Sequence, residues 1–185
     1  WLEAKNLPYL STREPGGTPL AEEVRELLLA PRAEEVCSTA ELLLMFAGRA
    51  QHINQVIEPA LVDGNWILCD RFTDATFAYQ GAGRDMSSDL IAKLEILVQG
   101  SLRPDLTLIL DIPVQIGLKR ASARSDPDRF ELEEVEFFER VRRGYRGIAE
   151  QDPDRCKLID ASQPLDLVQS QIAAVLEAFF ASSNV

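Results

Sequence analysis

The sequence is poor in the residues that build metal centres and disulfide frameworks. Its 185 residues include one histidine, His52, and three cysteines, Cys37, Cys69 and Cys156. The cysteines are odd in number and far apart, which predicts reduced structural thiols in a cytoplasmic protein. A zinc site or a histidine-based catalytic triad would have to be built around His52 alone, which argues against both.

Positive charge and long apolar runs are also scarce. Nineteen basic residues stand against 30 acidic ones, giving a net charge of −11, so the broad basic surface of a protein that binds DNA or RNA is absent. No apolar run approaches the roughly 18 residues of a membrane-spanning helix. We therefore expect neither a nucleic-acid polymer nor a membrane as partner, while a locally basic site for a small phosphorylated ligand is still allowed.

The hydrophobic pattern predicts one α/β domain over residues 1–185, a length typical of a single domain. Short apolar runs end at an acidic or breaker residue and alternate with stretches of helical periodicity. Runs without polar alternation predict strands that are buried on both faces of a parallel sheet. We expect a three-layer α/β/α fold with strands near 7–12, 66–69, 106–110 and 157–159 and helices near 18–28, 38–61, 88–100, 113–125, 132–151 and 165–179.

Charged residues follow the predicted strands where the ligands of such sheets bind. Asp70 and Arg71 come directly after one strand, and Asp111 follows the next. An Asp at this place can hold a hydrated Mg²⁺ or orient a phosphate, and an Arg offers a fork that matches phosphate oxygens. The alternative is an ion pair that only terminates the strand.

Two other segments allow a phosphate-binding or a purely structural interpretation. The turn at residues 13–17, with Gly16 and Gly17, could be a backbone nest for an anion or only a turn, and it is not a Walker A loop. A basic stretch around residues 125–128 could be a flap that covers polyphosphate, or a solvated helix end. Its cations are Lys119, Arg120, Arg124 and Arg129.

An aromatic and a guanidinium share one face of the helix at 38–61. Phe46 and Arg49 lie three residues apart and together could stack on and hydrogen-bond a flat heterocycle. The alternative is a core Phe beside an Arg that reaches solvent. His52 receives no role, and the charged run at 131–143 is interpreted as a solvated helix with ion pairs.

Six strings together resemble the bacterial thymidylate kinase family of P-loop nucleoside monophosphate kinases. They are T-R-E-P-G-G-T-P-L (12–20), L-L-L-M-F-A-G-R-A-Q (42–51), W-I-L-C-D-R-F (66–72), A-T-F-A-Y-Q-G-A-G-R (75–84), L-R-P-D-L-T-L-I-L-D (102–111) and D-R-F-E (128–131). They occur in the family's order. The resemblance implies a P-loop NTPase-like fold, a short lid insertion near 120–131, and transfer of the γ-phosphoryl of ATP to dTMP with Mg²⁺, giving dTDP for dTTP synthesis.

The resemblance also assigns the phosphate end of the substrate site. Arg25 and Arg71 would hold the dTMP phosphate. Asp70 would lie near that phosphate and the metal, and Glu14 near the nucleotide. Asp70, Arg71 and Arg124 are the expected catalytic residues. The expected lid residues over ATP are Arg120, Arg124 and Arg129.

The base end of the site follows from the same resemblance. Arg49 would hydrogen-bond the thymine edge, Thr76 and Gln80 would read the base, and Tyr79 would pack under the deoxyribose. In much of the family the aromatic that stacks on thymine lies four residues before this Arg, where the present chain has Met45. We expect the neighbouring Phe46 to cover the base, with Met45 as a soft contact.

The family's first strand and Walker A loop have no counterpart in the sequence, and residues 1–5 resemble the end of the helix that follows them. We expect about 25 further residues upstream, with a strand between those ending at Asp70 and Asp111. A chain that truly started at Trp1 is expected to be inactive. Family members are usually homodimers. The alternatives are another deoxynucleotide or deoxynucleoside kinase, or a non-catalytic nucleotide-binding protein.

Overall fold

A computed structural model describes residues 1–123 and 128–182 of the chain. Four strands alternate with helices, as the sequence predicts. The strands are β1 (Tyr9–Arg13), β2 (Trp66–Asp70), β3 (Thr107–Asp111) and β4 (Cys156–Asp160). The helices are α1 (Pro19–Leu29), α2 (Ser38–His52), α3 (Glu58–Val62), α4 (Thr73–Thr76), α5 (Ser88–Gln99), α6 (Val114–Ser122), α7 (Val135–Gln151) and α8 (Leu165–Ser182).

All the strand pairing in the described residues is parallel, which confirms the α/β class. β1 pairs with β2 from Tyr9 opposite Trp66 to Arg13 opposite Asp70. β3 pairs with β4 from Thr107 to Asp111. Within residues 1–123 and 128–182, these pairs form two separate sheets, because β2 and β3 share no ladder. The division lies between the strands ending at Asp70 and Asp111, where we expect a further strand.

The predicted burial on both faces is wrong for one leucine in each of β2, β3 and β4. Leu68 of β2 is 53% exposed, Leu110 of β3 is 55% exposed, and Leu158 of β4 is 41% exposed. The opposite faces are covered: Ile67 packs with a buried cluster that contains Phe72. The described helices therefore cover one face of each strand pair, and leucine side chains on the opposite face are exposed.

Local sequence explains how the helices begin and where one of them is interrupted. The Thr18 hydroxyl accepts a hydrogen bond of 3.1 Å from Ala21 N, and Pro19 occupies the first turn of α1. The single helix predicted at 38–61 is instead α2, a π-helical segment Ile53–Ile57, and α3. Pro59 lacks the N–H that an uninterrupted α-helix would need at this point.

A second π-helical segment, Phe77–Gly83, follows α4 and was not predicted. It packs closely against α7, where a Cβ on Gly83 would lie 2.7 Å from the Phe137 ring and one on Gly144 would lie 2.7 Å from Ala82. Small residues on both elements let the two backbones approach. This packing fixes the position of Tyr79 and Gln80. None of the helices in the described part of the chain is long and apolar enough to cross a lipid bilayer.

Candidate active site

A cleft of about 620 Å³ lies at the carboxyl ends of β2 and β3. Its walls come from the turn after β1, from α1, α2, α4, the Phe77–Gly83 segment, α6 and α7. The structure brings nine of the predicted substrate-site residues together there: Glu14, Arg25, Met45, Arg49, Asp70, Arg71, Thr76, Tyr79 and Gln80.

A buried ionic network supports the inner wall of the cleft. Arg49 Nε donates to Glu14 Oε2 at 2.7 Å, and both side chains are 5% exposed or less. His52 Nδ1 lies 3.0 Å from the other oxygen of Glu14, and His52 Nε2 lies 2.7 Å from Thr12 Oγ1. An ionised carboxylate only accepts, so His52 Nδ1 carries the proton. His52 thereby fixes the orientation of the Glu14 carboxylate, and Glu14 in turn positions Arg49.

One nitrogen of the Arg49 guanidinium, Nη1, is left for a ligand. The Nη2 of Arg49 donates to Thr76 Oγ1 at 3.0 Å, whereas its Nη1 is buried and has no hydrogen-bond partner among the residues that the structure describes. The guanidinium carbon lies 4.8 Å from the Phe46 ring centroid and 5.2 Å from that of Phe72. A buried donor without a partner is unfavourable by about 1–3 kcal/mol, so an acceptor on a bound ligand would complete this site.

Two further arginines, Arg25 and Arg71, place positive charge in the cleft. Arg25 Nη1 donates to Pro15 O at 2.9 Å. Burial lowers the pKa of Arg25, and the nearby charges of Arg13 and Arg71 lower it further. Arg71 has a left-handed backbone with φ of 65°, and its guanidinium carbon lies 4.6 Å from the Tyr79 ring centroid. Mutually repelling cations held close together favour an anion between them.

The buried carboxylate of Glu41 lies behind the cleft wall, next to Arg129 of the predicted lid. Gln80 Nε2 donates to Glu41 Oε1 at 2.9 Å, and Arg129 Nη2 donates to Glu41 Oε2 at 2.6 Å. Arg84 Nη2 lies 3.3 Å from the same Oε2 and 2.6 Å from Glu133 Oε1. The two guanidiniums compensate the buried negative charge.

Asp70 and Asp111 both line the cleft but differ in their availability. Arg142 donates two hydrogen bonds of 2.7 and 3.0 Å to the Asp111 carboxylate, and Arg146 donates a third of 2.9 Å. The hydrogen bond from Arg142 lowers the pKa of Asp111, as do the charges of both arginines. Asp70 is exposed, and no cation of the described residues pairs with it.

Asp70 and Asp111 are the carboxylates at the strand ends that could bind Mg²⁺. Among residues 1–123 and 128–182, no group of three or more His, Cys, Asp or Glu side chains is arranged to hold a metal ion. Mg²⁺ often needs only one or two protein carboxylates, because waters and substrate phosphates supply its other ligands. Asp70 fits that demand, whereas the ion pairs of Asp111 compete with metal binding.

Several predicted residues lie elsewhere. Phe46 is 2% exposed and packs with Leu42 and Ile91 in the core. Its ring lies under Arg49 and does not line the cleft, so the structure does not place Phe46 where we expected it. Met45, one residue earlier on α2, is the one of the pair that lines the cleft.

Of the predicted lid residues, the structure describes Arg120 and Arg129, and both are bonded to other parts of the chain. Arg120 donates to Ala161 O at 2.8 Å, which ties α6 to the loop after β4. Arg129 donates to Leu28 O at 2.7 Å as well as to Glu41. Asp128 and Phe130, on either side of Arg129, line the cleft. Arg124 lies outside the described residues, as do residues 125–127 of the predicted lid.

Sequence reasoning missed one wall of the cleft. Phe138, Val141, Arg142 and Tyr145 of α7 line it, although we interpreted this part of the chain as a solvated helix. Their spacing of three, four and seven residues places them on one helical face, and that signal was available. The partners of Glu41 and His52 gave no local signal, because they are 30 or more residues away in the sequence.

Parallel strands, a cleft at their carboxyl ends, clustered arginines and an apolar wall together define an α/β protein of the nucleotide-binding class. Comparison with known proteins gives the family. The sequence model of the family "Thymidylate kinase" matches residues 1–172. The chain belongs to the thymidylate kinase family.

Individual relatives agree with this assignment. The chain is 62% identical over 179 residues to a thymidylate kinase of Teredinibacter turnerae, an alignment that covers 97% of this chain and 87% of the relative. It is 59% identical over 175 residues to a thymidylate kinase of Pseudomonas putida, covering 95% and 84%. The crystal structure of a thymidylate kinase from Ehrlichia chaffeensis superposes with a TM-score of 0.73 at 36% identity, covering 91% and 80%.

Proposed function

We propose that the cleft binds dTMP and that the protein phosphorylates it to dTDP, with ATP as phosphoryl donor and Mg²⁺ as metal ion, in dTTP synthesis. The observation that carries this proposal is the convergence of two sets of residues on one cleft. Arg49, Thr76 and Gln80 form a polar wall suited to a base edge, while Arg25 and Arg71 supply positive charge. Family membership supports the same substrate pair.

The base end of the cleft suits a pyrimidine. The unpartnered Nη1 of Arg49 is a donor for a base carbonyl. Thr76 Oγ1 accepts from Arg49, so its hydroxyl hydrogen is free to donate to the base. We assign the apolar contacts to Met45 and Phe72, which line the same cleft, and the sugar contact to Tyr79.

The phosphate end needs positioning and neutralisation of charge more than covalent chemistry. Arg25 and Arg71 would hold the dTMP phosphate, since their guanidiniums are close enough to lower the pKa of Arg25. Asp70 would hold Mg²⁺ together with phosphate oxygens and water. The metal would supply neutralisation of phosphate charge, and Arg71 would orient the acceptor phosphate from the cleft rim. We assign Arg120, Arg124 and Arg129 to the ATP side.

A phosphate-binding loop for ATP is the remaining requirement. We propose that ATP binds at a phosphate-binding loop of the G-x-x-x-x-G-K-[ST] type, carried by a strand that lies between β2 and β3. The division of the described sheet at this point supports the proposal. An open reading frame without that motif would overturn it and favour a non-catalytic nucleotide-binding protein.

We also propose that the protein is a cytoplasmic homodimer. The three free thiols suit a reducing compartment. Helices α2 and α5 contact each other and expose Leu43 at 52% and Leu97 at 78%. Light scattering should show a dimer that Leu43→Glu or Leu97→Glu weakens, whereas Leu165→Glu, at a leucine of α8 that is 71% exposed, should not. A monomeric wild-type protein would refute this part.

The central test combines binding and turnover. Calorimetric titration should show that dTMP binds more tightly than dCMP, dGMP or thymidine. In the protein expressed from its complete reading frame, Arg71→Ala should lower dTDP formation by a factor of about 100 or more without changing the thermal midpoint of unfolding. Arg103→Ala removes an arginine that pairs with Glu95 outside the cleft, and should leave turnover unchanged.

Each outcome has a definite meaning. Near-normal dTMP kinetics in Arg71→Ala would refute the phosphate assignment. If another deoxynucleotide or a deoxynucleoside binds more tightly than dTMP, the protein is instead a kinase for that substrate. Failure of dTMP and every other nucleotide to bind would refute the cleft as a nucleotide site.

A further inference from the structure

Glu41 is completely buried, yet the phosphoryl-transfer scheme above gives it no direct task. Its side chain has no exposed surface and contacts Gln80, Arg84 and Arg129. Two positively charged guanidiniums, of Arg129 and Arg84, lie 2.6 and 3.3 Å from one oxygen of this carboxylate. A buried carboxylate is costly to desolvate, so its contacts call for an explanation.

The charge of Glu41 determines which way the Gln80 amide faces. The amide has an NH₂ group that only donates and an oxygen that only accepts, and an ionised carboxylate only accepts. Gln80 must therefore turn its Nε2 toward Glu41 Oε1, and this contact measures 2.9 Å. The Gln80 Oε1 is left for the other side of the amide. Gln80 is 1% exposed and lines the cleft, and we infer that its oxygen accepts a hydrogen bond from a bound base.

The wall then presents a fixed order of hydrogen-bonding groups. Arg49 contributes a donor through its unpartnered Nη1, and Gln80 contributes an acceptor. Thymine carries an acceptor at O4 beside a donor at N3–H, whereas cytosine carries a donor at its amino group beside an acceptor at N3. The wall complements thymine at both positions and opposes cytosine at both.

We propose that Glu41 is a positioning residue for substrate specificity: by holding the Gln80 amide in one orientation, it makes the cleft select thymine over cytosine. The inference rests on the proposed function, because it requires Gln80 to contact the base. Glu41 acts through Gln80 and does not touch the nucleotide. Its bond to Arg129 also ties the base-reading wall to the segment that follows residue 128.

The test is the ratio of the dissociation constants for dCMP and dTMP, measured by calorimetric titration. Glu41→Gln puts a neutral amide beside Gln80, and that amide can either accept or donate, so the Gln80 amide can turn to suit either base. The ratio should fall by about tenfold, the size expected for one buried hydrogen bond that is no longer opposed. Glu133→Gln removes the other carboxylate of Arg84 without touching Gln80, and should leave the ratio unchanged.

If Glu41 had a purely structural role, Glu41→Gln would weaken the binding of dCMP and dTMP by the same factor. An unchanged ratio of dissociation constants in Glu41→Gln therefore overturns the proposal. If Glu41→Gln does not fold, Glu41→Asp decides. It keeps the charge for Arg84 and Arg129 but withdraws the oxygen from Gln80 Nε2. The ratio should then fall in the same direction by a smaller factor, and an unchanged ratio in this variant also overturns the proposal.

Gln80→Leu separates this inference from the function on which it rests. If Gln80→Leu leaves the ratio unchanged, Gln80 does not read the base and the base assignment of the proposed function fails. If Gln80→Leu lowers the ratio and Glu41→Gln does not, only the positioning role of Glu41 fails. A lower ratio in both variants supports both the contact of Gln80 with the base and the positioning role of Glu41.

Discussion

Breaking the buried pair of Arg49 and Glu14 should destabilise the protein more than replacing both partners. Arg49→Met keeps the length of the side chain but removes the charge that faces Glu14 at 2.7 Å. The Glu14 carboxylate would stay buried, with His52 Nδ1 as its remaining side-chain donor in the network. The double variant Arg49→Met with Glu14→Gln leaves no unpaired charge, and the new amide oxygen still accepts from His52.

The magnitudes follow from the burial of both groups. Removing one partner of a buried ion pair destabilises by about 3–5 kcal/mol, and both of these side chains are 5% exposed or less. Replacing both partners by groups of similar volume is much less damaging, so we expect the double variant to lose about 1–2 kcal/mol. With a urea m-value of about 2 kcal/mol/M, the single variant should shift the unfolding midpoint by about 2 M.

Urea titrations of the wild type, both single variants and the double variant form a double-mutant cycle. A loss below about 1 kcal/mol for Arg49→Met, or a double variant whose loss equals the sum of the two single losses, would refute the reasoning. Binding provides a second readout. All variants that lack Arg49 should lose dTMP affinity, whatever stability the second substitution restores.

Three other predictions concern charge, thiols and backbone. Hydrogen bonding by Arg142 lowers the pKa of Asp111 below its unfolded value of 3.8, so this stabilisation is present above that pH and is lost as the pH falls through the lower folded value. The stability difference between wild type and Asp111→Asn should therefore be constant near neutral pH and shrink below about pH 4. Burial raises the pKa of Cys69, and the nearby carboxylate of Glu14 raises it further, so a thiol reagent should modify the exposed Cys37 first. Gly17→Ala should destabilise by about 2–4 kcal/mol in urea titration, because φ there is +89° and a Cβ would lie 2.4 Å from an imidazole ring; a loss below about 1 kcal/mol would contradict this reading of the turn.

The parts of the fold and site that the sequence predicted are those governed by local rules. Thr18 and Pro19 mark the start of α1, and apolar runs that end at Asp70 and Asp111 mark strands. The edge on which these strands end then follows from the handedness of parallel crossovers. The positions of Asp70, Arg71 and Asp111 at this edge were predictable for the same reason, whereas the other cleft residues were expected only from the family resemblance.

The remaining features depend on contacts between distant segments. The ring of Phe46 is turned into the core by Leu42 and Ile91, and no spacing rule distinguishes it from Met45, its neighbour in the sequence. The role of His52 depends on Glu14, 38 residues earlier. Hydrophobic period locates a helical face, but it does not show which polar group will be opposite that face after folding.

Both tryptophans of the chain, Trp1 and Trp66, lie in one aromatic group with Phe179 and Phe180 of α8. Trp66 begins β2, about 13 Å along the strand from Asp70 at the cleft. Intrinsic fluorescence of this protein is therefore a gauge of whether the carboxyl-terminal helix is docked. Nucleotide binding in the cleft should leave the tryptophan emission nearly unchanged, so emission and calorimetry should report on two separate events at opposite ends of the same strand.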